Sequence, residues 1–148
     1  MACRVLLVDD EETMLDLLEI CLNRYDCLIT RAMNGDEAID ALEREAFDLV
    51  ITDLQMRATS GLEVVKRAKE LHPETLVFMI TGCDDKKNAI AAFNLGADDY
   101  LLKPLSFELL MDRLRRKGFS PPERTVAGPG QQSKRPTVSG CFTECKRV

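Results

Sequence analysis

Five short apolar runs punctuate the first 117 residues, at positions 4–8, 27–32, 47–52, 76–81 and 99–102. Four of the five are dense in Val, Ile, Leu or Phe, the pattern of strands covered on both faces. The second, Cys-Leu-Ile-Thr-Arg-Ala, is more mixed and is expected near a sheet edge. Between the runs the spacing becomes helical. Met14, Leu17, Leu18, Cys21 and Leu22 share one stripe, and Val64, Val65, Ala68 and Leu71 share another. Asn34-Gly-Asp-Glu37 and Ser60-Gly-Leu-Glu63 read as capping boxes that open helices. His72-Pro73 closes the second of these, because the residue before proline avoids the helical region. Residues 86–95, stopped by Gly96, make a fourth helix. Residues 106–117 make a fifth, with Ser106 as its cap and basic residues at its C-terminal end.

Strict strand–helix alternation predicts an α/β fold: a single doubly wound, five-stranded parallel sheet with right-handed crossovers and helices on both faces. The expected strand order is the flavodoxin-like 2-1-3-4-5. From Gly118 onward the periodicity stops, and Pro, Gly, Gln and Ser dominate. Residues 1–117 are therefore read as the domain and 118–148 as a flexible basic tail or linker.

Composition narrows the class. The 148 residues are 45% hydrophobic and 30% charged, with a net charge of −5. Residues 1–117 carry 15 Lys/Arg against 23 Asp/Glu, a net of −8, and the tail carries 5 against 2, a net of +3. Direct nucleic-acid binding by residues 1–117 is not expected from so acidic a unit. The start of the chain shows no basic-then-apolar leader, and no run approaches the ~20 apolar residues that cross a bilayer. Four of the six cysteines (Cys3, Cys21, Cys27, Cys83, Cys141, Cys145) lie in or beside apolar runs, which suits reduced thiols in a cytoplasmic protein.

In a parallel α/β sheet, ligands bind beyond the carboxyl ends of the strands, where the order reverses. The first run ends in Asp9-Asp10, followed by Glu11 and Glu12, and the third ends in Asp53. The fourth ends in Thr81-Gly82 and the fifth in Lys103-Pro104. Three carboxylates, a hydroxyl and an ammonium should thus meet on one rim. Two like charges ~4 Å apart repel by ~4 kcal/mol at an effective dielectric of ~20, so such a cluster calls for a cation. Mg²⁺ fits a hard oxygen set that must also share a phosphate oxygen. Asp53 is then a candidate nucleophile for an aspartyl phosphate, and Thr81 and Lys103 are candidate partners of the phosphoryl oxygens. Gly82 leaves room for the incoming group.

These motifs recur together in a known family. Val-Asp9-Asp10-Glu, then Asp53-Leu-Gln-Met-Arg-Ala-Thr-Ser-Gly61, then Thr81-Gly82, then Asp98-Asp99-Tyr100-Leu-Leu-Lys103-Pro104 closely resemble response-regulator receiver domains of the CheY type, over residues 4–117. CheY itself has the 2-1-3-4-5 order, so that order does not stand independently of the resemblance. The resemblance implies that Asp53 is the phosphoacceptor. It implies that Asp9, Asp10, Asp53 and the backbone carbonyl of Gln55 hold Mg²⁺, and that Thr81 and Lys103 contact the phosphoryl group. It makes Thr81 and Tyr100 the switch pair. The phosphodonor would be a sensor histidine kinase or a phosphotransfer protein, and the readout a downstream protein or an attached output domain. Such a domain catalyses only its own phosphorylation and slow dephosphorylation. Arg57 stands where these domains usually carry Pro, which leaves the loop after Asp53 less restrained in φ.

Plainer readings stand beside these. Asp9-Asp10 and Asp53 are each compatible with caps, Thr81 with a strand-end hydroxyl, and Tyr100 with core. Lys103-Pro104 is a candidate cis bond that would aim the lysine, or a simple strand stop. His72 reads as a surface residue, Lys86-Lys87 as a solvated helix start, and Cys141-x-x-x-Cys145 as a weak metal motif. Two other functions remain open at this point: a phosphatase with an aspartyl intermediate, and a receiver-like binding module that never takes phosphate. The adjacency of Asp9 and Asp10, instead of Asp-x-Asp on one strand, weighs against the first. The complete set of acids, Thr and Lys weighs against the second.

Overall fold

The structure is a computed structural model that describes residues 3–57, 59–82 and 86–124. Ten elements alternate: β1 (Cys3–Val8), α1 (Glu12–Leu22), β2 (Cys27–Ala32), α2 (Gly35–Arg44), β3 (Leu49–Thr52), α3 (Gly61–Leu71), β4 (Leu76–Thr81), α4 (Lys86–Asn94), β5 (Asp99–Leu102) and α5 (Phe107–Arg116). The strands form one parallel sheet in the order β2-β1-β3-β4-β5, as expected. The mixed second run is indeed an edge strand, with Leu28 exposed.

Alternation along each strand divides the core between two faces. Val5, Leu7, Leu49, Ile51, Phe78 and Ile80 pack under α1 and α5. Leu6, Val8, Val50, Val77 and Met79 pack under α2, α3 and α4. Residues 5–8 of β1, 49–51 of β3 and 77–80 of β4 are buried whichever face they point to, and all of them are apolar. The third run forms a strand only from Leu49. Phe47 is instead a buried plug whose carbonyl accepts the Thr75 hydroxyl at 2.6 Å, and the Asp48 carboxylate accepts the Arg4 N–H at 2.8 Å.

The helix starts follow local chemistry. Asn34 accepts the Glu37 N–H at 2.9 Å, while the Glu37 carboxylate reaches back to the Met33 N–H at 2.8 Å. The Ser60 hydroxyl accepts from Leu62 N–H at 3.0 Å, one residue short of the expected Glu63. Ser106 caps α5 by accepting from Leu109 N–H at 3.2 Å. Gly96 takes φ +107 after α4, a conformation that favours glycine.

Two expectations change. His72 is half-buried, with its ring 3.3 Å from the Leu42 carbonyl, because the end of α3 packs on the end of α2. Packing also runs past residue 117, where the sequence loses its periodicity. Phe119 is buried in the α1–α5 face, and Asp26 N–H donates to the Pro122 carbonyl at 2.8 Å. Tyr25 and Glu123 form an antiparallel bridge, and the Arg124 side chain donates to the Asn23 and Tyr25 carbonyls at 3.0 and 3.2 Å. One aromatic anchor and main-chain pairing produce no periodic signal, so this strap was invisible as pattern. The rest of the tail, with Cys141 and Cys145, and also Cys83, lies outside the described residues.

Candidate functional site

The candidate residues stand at the carboxyl ends of four strands: Asp9, Asp53 and Lys103 follow β1, β3 and β5, and Thr81 is the last residue of β4. Asp9 N–H donates to the Ala32 carbonyl at 3.1 Å and Asp53 N–H to the Val8 carbonyl at 2.9 Å, so both acids continue the sheet by one step. Lys103 N–H donates to the Thr81 carbonyl at 2.8 Å, which fixes the end of β5 against that of β4. The order β2-β1-β3 makes β1 and β3 neighbours, and the acids at their ends therefore meet.

They meet closely. One carboxylate oxygen from each of Asp9, Asp10 and Asp53 lies within 4.8 Å of the others. Asp9 is 2% exposed and Asp53 is 7% exposed, whereas Asp10 is half-buried. Lys103 Nζ donates to Asp9 Oδ2 at 3.1 Å, to Asp53 Oδ2 at 3.3 Å and to Glu11 Oε1 at 3.2 Å. Burial raises the Asp9 pKa and the nearby Asp53 charge adds to the rise; the Glu11 N–H and the Lys103 ammonium hold it down only in part. For Lys103 burial disfavours the charge, but its hydrogen bond to Asp9 and the charges of Asp53 and Asp9 outweigh burial and raise its pKa. The ammonium is firmly charged at neutral pH.

The donor set suits a hard divalent cation. Three carboxylates converge, one of them partly open to water, and Mg²⁺ takes oxygen ligands while retaining several waters. No sulfur or imidazole belongs to the cluster, so softer metals are poorly served.

Thr81 is fully buried at the end of β4. Gly82 is exposed, and among the described residues a side chain added there would meet nothing within 4 Å. Gln55 is exposed, and its N–H lies 3.4 Å from Asp53 Oδ1. Tyr100 is half-buried on β5 against the α2–α3–α4 face. The Lys103-Pro104 bond is cis.

Three contributions escaped the sequence reading. Glu11 was visible only as an acid after the pair, with nothing in its spacing to tie it to Lys103. Gly61 lies so close to β3 that a Cβ there would overlap the Asp53 carbonyl oxygen and come 2.9 Å from Leu54 Cα. The Thr59 hydroxyl donates to Asp36 Oδ1 at 2.6 Å and so ties the loop that carries Arg57 to the start of α2.

Comparison with known proteins agrees with this geometry. A family model described as the response regulator receiver domain matches residues 5–115. The chain is 39% identical over 127 residues to the response regulator protein PilR of Pseudomonas aeruginosa, which covers 83% of this chain and 28% of PilR. It superposes on a CheY-like response regulator receiver domain protein of Methanospirillum hungatei with a TM-score of 0.76 and 28% identity, covering 79% of this chain and 94% of that one. A response regulator of Burkholderia pseudomallei, solved with a phosphorylated aspartic acid, a calcium ion and citrate, gives a TM-score of 0.71 at 28% identity, covering 90% and 73%. The chain spans only 28% to 49% of the length of the curated relatives it matches. Receiver domains are phosphoacceptor signalling switches and, as a rule, not enzymes. With its strand-end acids, its topology and the match across most of its length in agreement, this chain belongs to the response regulator receiver domain family.

Proposed function

We propose that Asp53 takes a phosphoryl group from a phosphohistidine on a sensor kinase or phosphotransfer protein, in a Mg²⁺-dependent reaction. The observation that carries this reading is the meeting of three carboxylates with the Lys103 ammonium on one sheet rim. Asp9, Asp10, Asp53 and the Gln55 carbonyl would hold the cation. When bound, Mg²⁺ neutralises charge on the carboxylates and on the transferring oxygens. An Asp53 oxygen bonds to phosphorus as the P–N bond of the donor breaks. The electron pair stays on the ring nitrogen, which takes up a proton. Lys103 follows the new charge from the carboxylate to a phosphoryl oxygen, and Thr81 donates to another.

Phosphorylation thereby adds charge and acceptors at a place already wired to two strands. Reversing a 1:99 population to 99:1 takes ~5.5 kcal/mol of differential stabilisation. Two charge-assisted bonds at ~1.5–3 kcal/mol each supply most of it. Thr81 moves toward the phosphoryl group, Tyr100 turns into the space vacated, and the surface of α4, β5 and α5 presents a different face to its partner. That partner is a downstream protein or an attached output domain. On this reading the chain works in the cytoplasm beside the kinase, and among the described residues no helix is long and apolar enough to cross a membrane.

The test is incubation with Mg²⁺ and a small phosphodonor such as acetyl phosphate. The expected product is one base-labile, hydroxylamine-sensitive phosphoryl group per chain, absent from Asp53→Asn. Labelling that survives in that variant would remove Asp53 from the role.

A further inference from the structure

Lys103 is held by three acids, and they are not equivalent. Asp9 and Asp53 belong to the carboxylate cluster, so a cation bound there draws on their charge. Glu11 lies outside that cluster, with its side chain 68% exposed and its Oε1 at 3.2 Å from Nζ. Its main chain is not free to drift, because the Glu11 N–H donates to Asp9 Oδ1 at 2.9 Å and its carbonyl accepts the first turns of α1 from Met14 and Leu15. The Glu11 backbone is therefore fixed next to the metal-side acid while its side chain reaches back to the lysine.

We propose that Glu11 is a positioning residue that grips Lys103 in the unphosphorylated state and competes with the phosphoryl group for it. The proposal rests on Asp53 being the acceptor. Once a cation has neutralised Asp9 and Asp53, Glu11 is the remaining carboxylate on Lys103 with its full charge. A phosphoryl oxygen must draw the ammonium away from it. The grip is a partly exposed ion pair, so its release changes the affinity for a phosphoryl group by about two- to fivefold. Glu11 thus sets how readily the switch turns on without touching the transferring group.

Two variants separate the grip from simple charge. Glu11→Gln removes both, whereas Glu11→Asp keeps the charge on a side chain one methylene shorter, too short to reach Nζ from the same backbone. Affinity for beryllofluoride at saturating Mg²⁺ is expected to rise about two- to fivefold in both variants. The Lys103 Nζ resonance of the Mg²⁺-loaded protein, recorded with no phosphoryl mimic present, is expected to shift in both. A wild-type resonance in Glu11→Asp together with wild-type affinity overturns the proposal, since charge alone would then explain any change in Glu11→Gln. Failure of the wild-type chain to bind beryllofluoride would overturn the acceptor reading instead, and the Nζ resonance would still decide whether Glu11 holds the lysine.

Discussion

Asp53 and Gly61 are set back to back: the loop after β3 turns so tightly that Gly61 N–H donates to the Leu54 carbonyl at 2.9 Å, and the Gly61 α-carbon faces the Asp53 carbonyl with no room for a methyl group. The start of α3 thus serves as a backstop that holds the acceptor peptide at the sheet end. Gly61→Ala must push that peptide away, because the clash is with backbone and not with a side chain able to turn aside. The expected cost is ~1–3 kcal/mol of stability, the range for forcing a group into a packed site. Phosphorylation by acetyl phosphate should slow more than the lost stability explains, since the Asp53 carboxylate moves with its peptide. Thermal unfolding and labelling rate measured on the same sample check this.

Removing the lysine should separate metal binding from transfer. Lys103→Met deletes the ammonium that bridges Asp9 and Asp53 while keeping most of the stem. Mg²⁺ affinity should hold or rise, because the carboxylates lose their internal cation. Phosphorylation should fall about 10²-fold, the usual cost of deleting one preorganised donor. Calorimetric Mg²⁺ titration beside a labelling time course tests both halves.

Cation binding should also stabilise the fold. The three carboxylates converge only in the folded chain, so Mg²⁺ at a hundredfold excess over its Kd should add about 2.7 kcal/mol. EDTA should reverse the gain, and Asp10→Asn should reduce it. Differential scanning calorimetry with and without Mg²⁺ reads this directly.

The strap beyond α5 should behave as part of the domain. Phe119 is buried in the α1–α5 core, and Phe119→Ala should cost about 3 kcal/mol. A chain ending at residue 117 should lose comparable stability and also the exchange protection of the Asp26 amide, which donates to Pro122. A chain ending at residue 124 should keep both. Urea unfolding and hydrogen exchange of the two truncations distinguish a strap from a tail.

Alkaline pH should expose Cys27. Burial, with smaller contributions from the charges of Cys3, Asp26 and Asp48, pushes its thiol from 9.0 up to about 12. The fold favours the neutral thiol, so the stability Cys27 contributes is complete below pH 9 and is lost as the pH rises toward 12. Wild type should weaken across that window more than Cys27→Ala. Iodoacetamide should label Cys27 far more slowly than an exposed thiol at pH 8, because little thiolate forms.

What could be read in advance was whatever is written locally. Apolar runs of 4–6 residues between amphipathic segments determined the alternating elements, Asn34 and Ser106 determined where helices begin, and Gly96 where one ends. Strand-end placement was enough to nominate Asp9, Asp10, Asp53, Thr81 and Lys103, because a parallel sheet brings all its carboxyl ends to one side.

Only the tertiary structure decided which of those groups touch. Side-chain reach across 92 residues makes Glu11 a partner of Lys103, and no spacing rule encodes that contact. A hydrogen bond across 23 residues joins Thr59 to Asp36 at the start of α2. The strap, the half-buried His72 and the backstop at Gly61 are likewise contacts between distant segments. Periodicity reports how a segment presents its faces, and it carries no information about what the rest of the chain places against them.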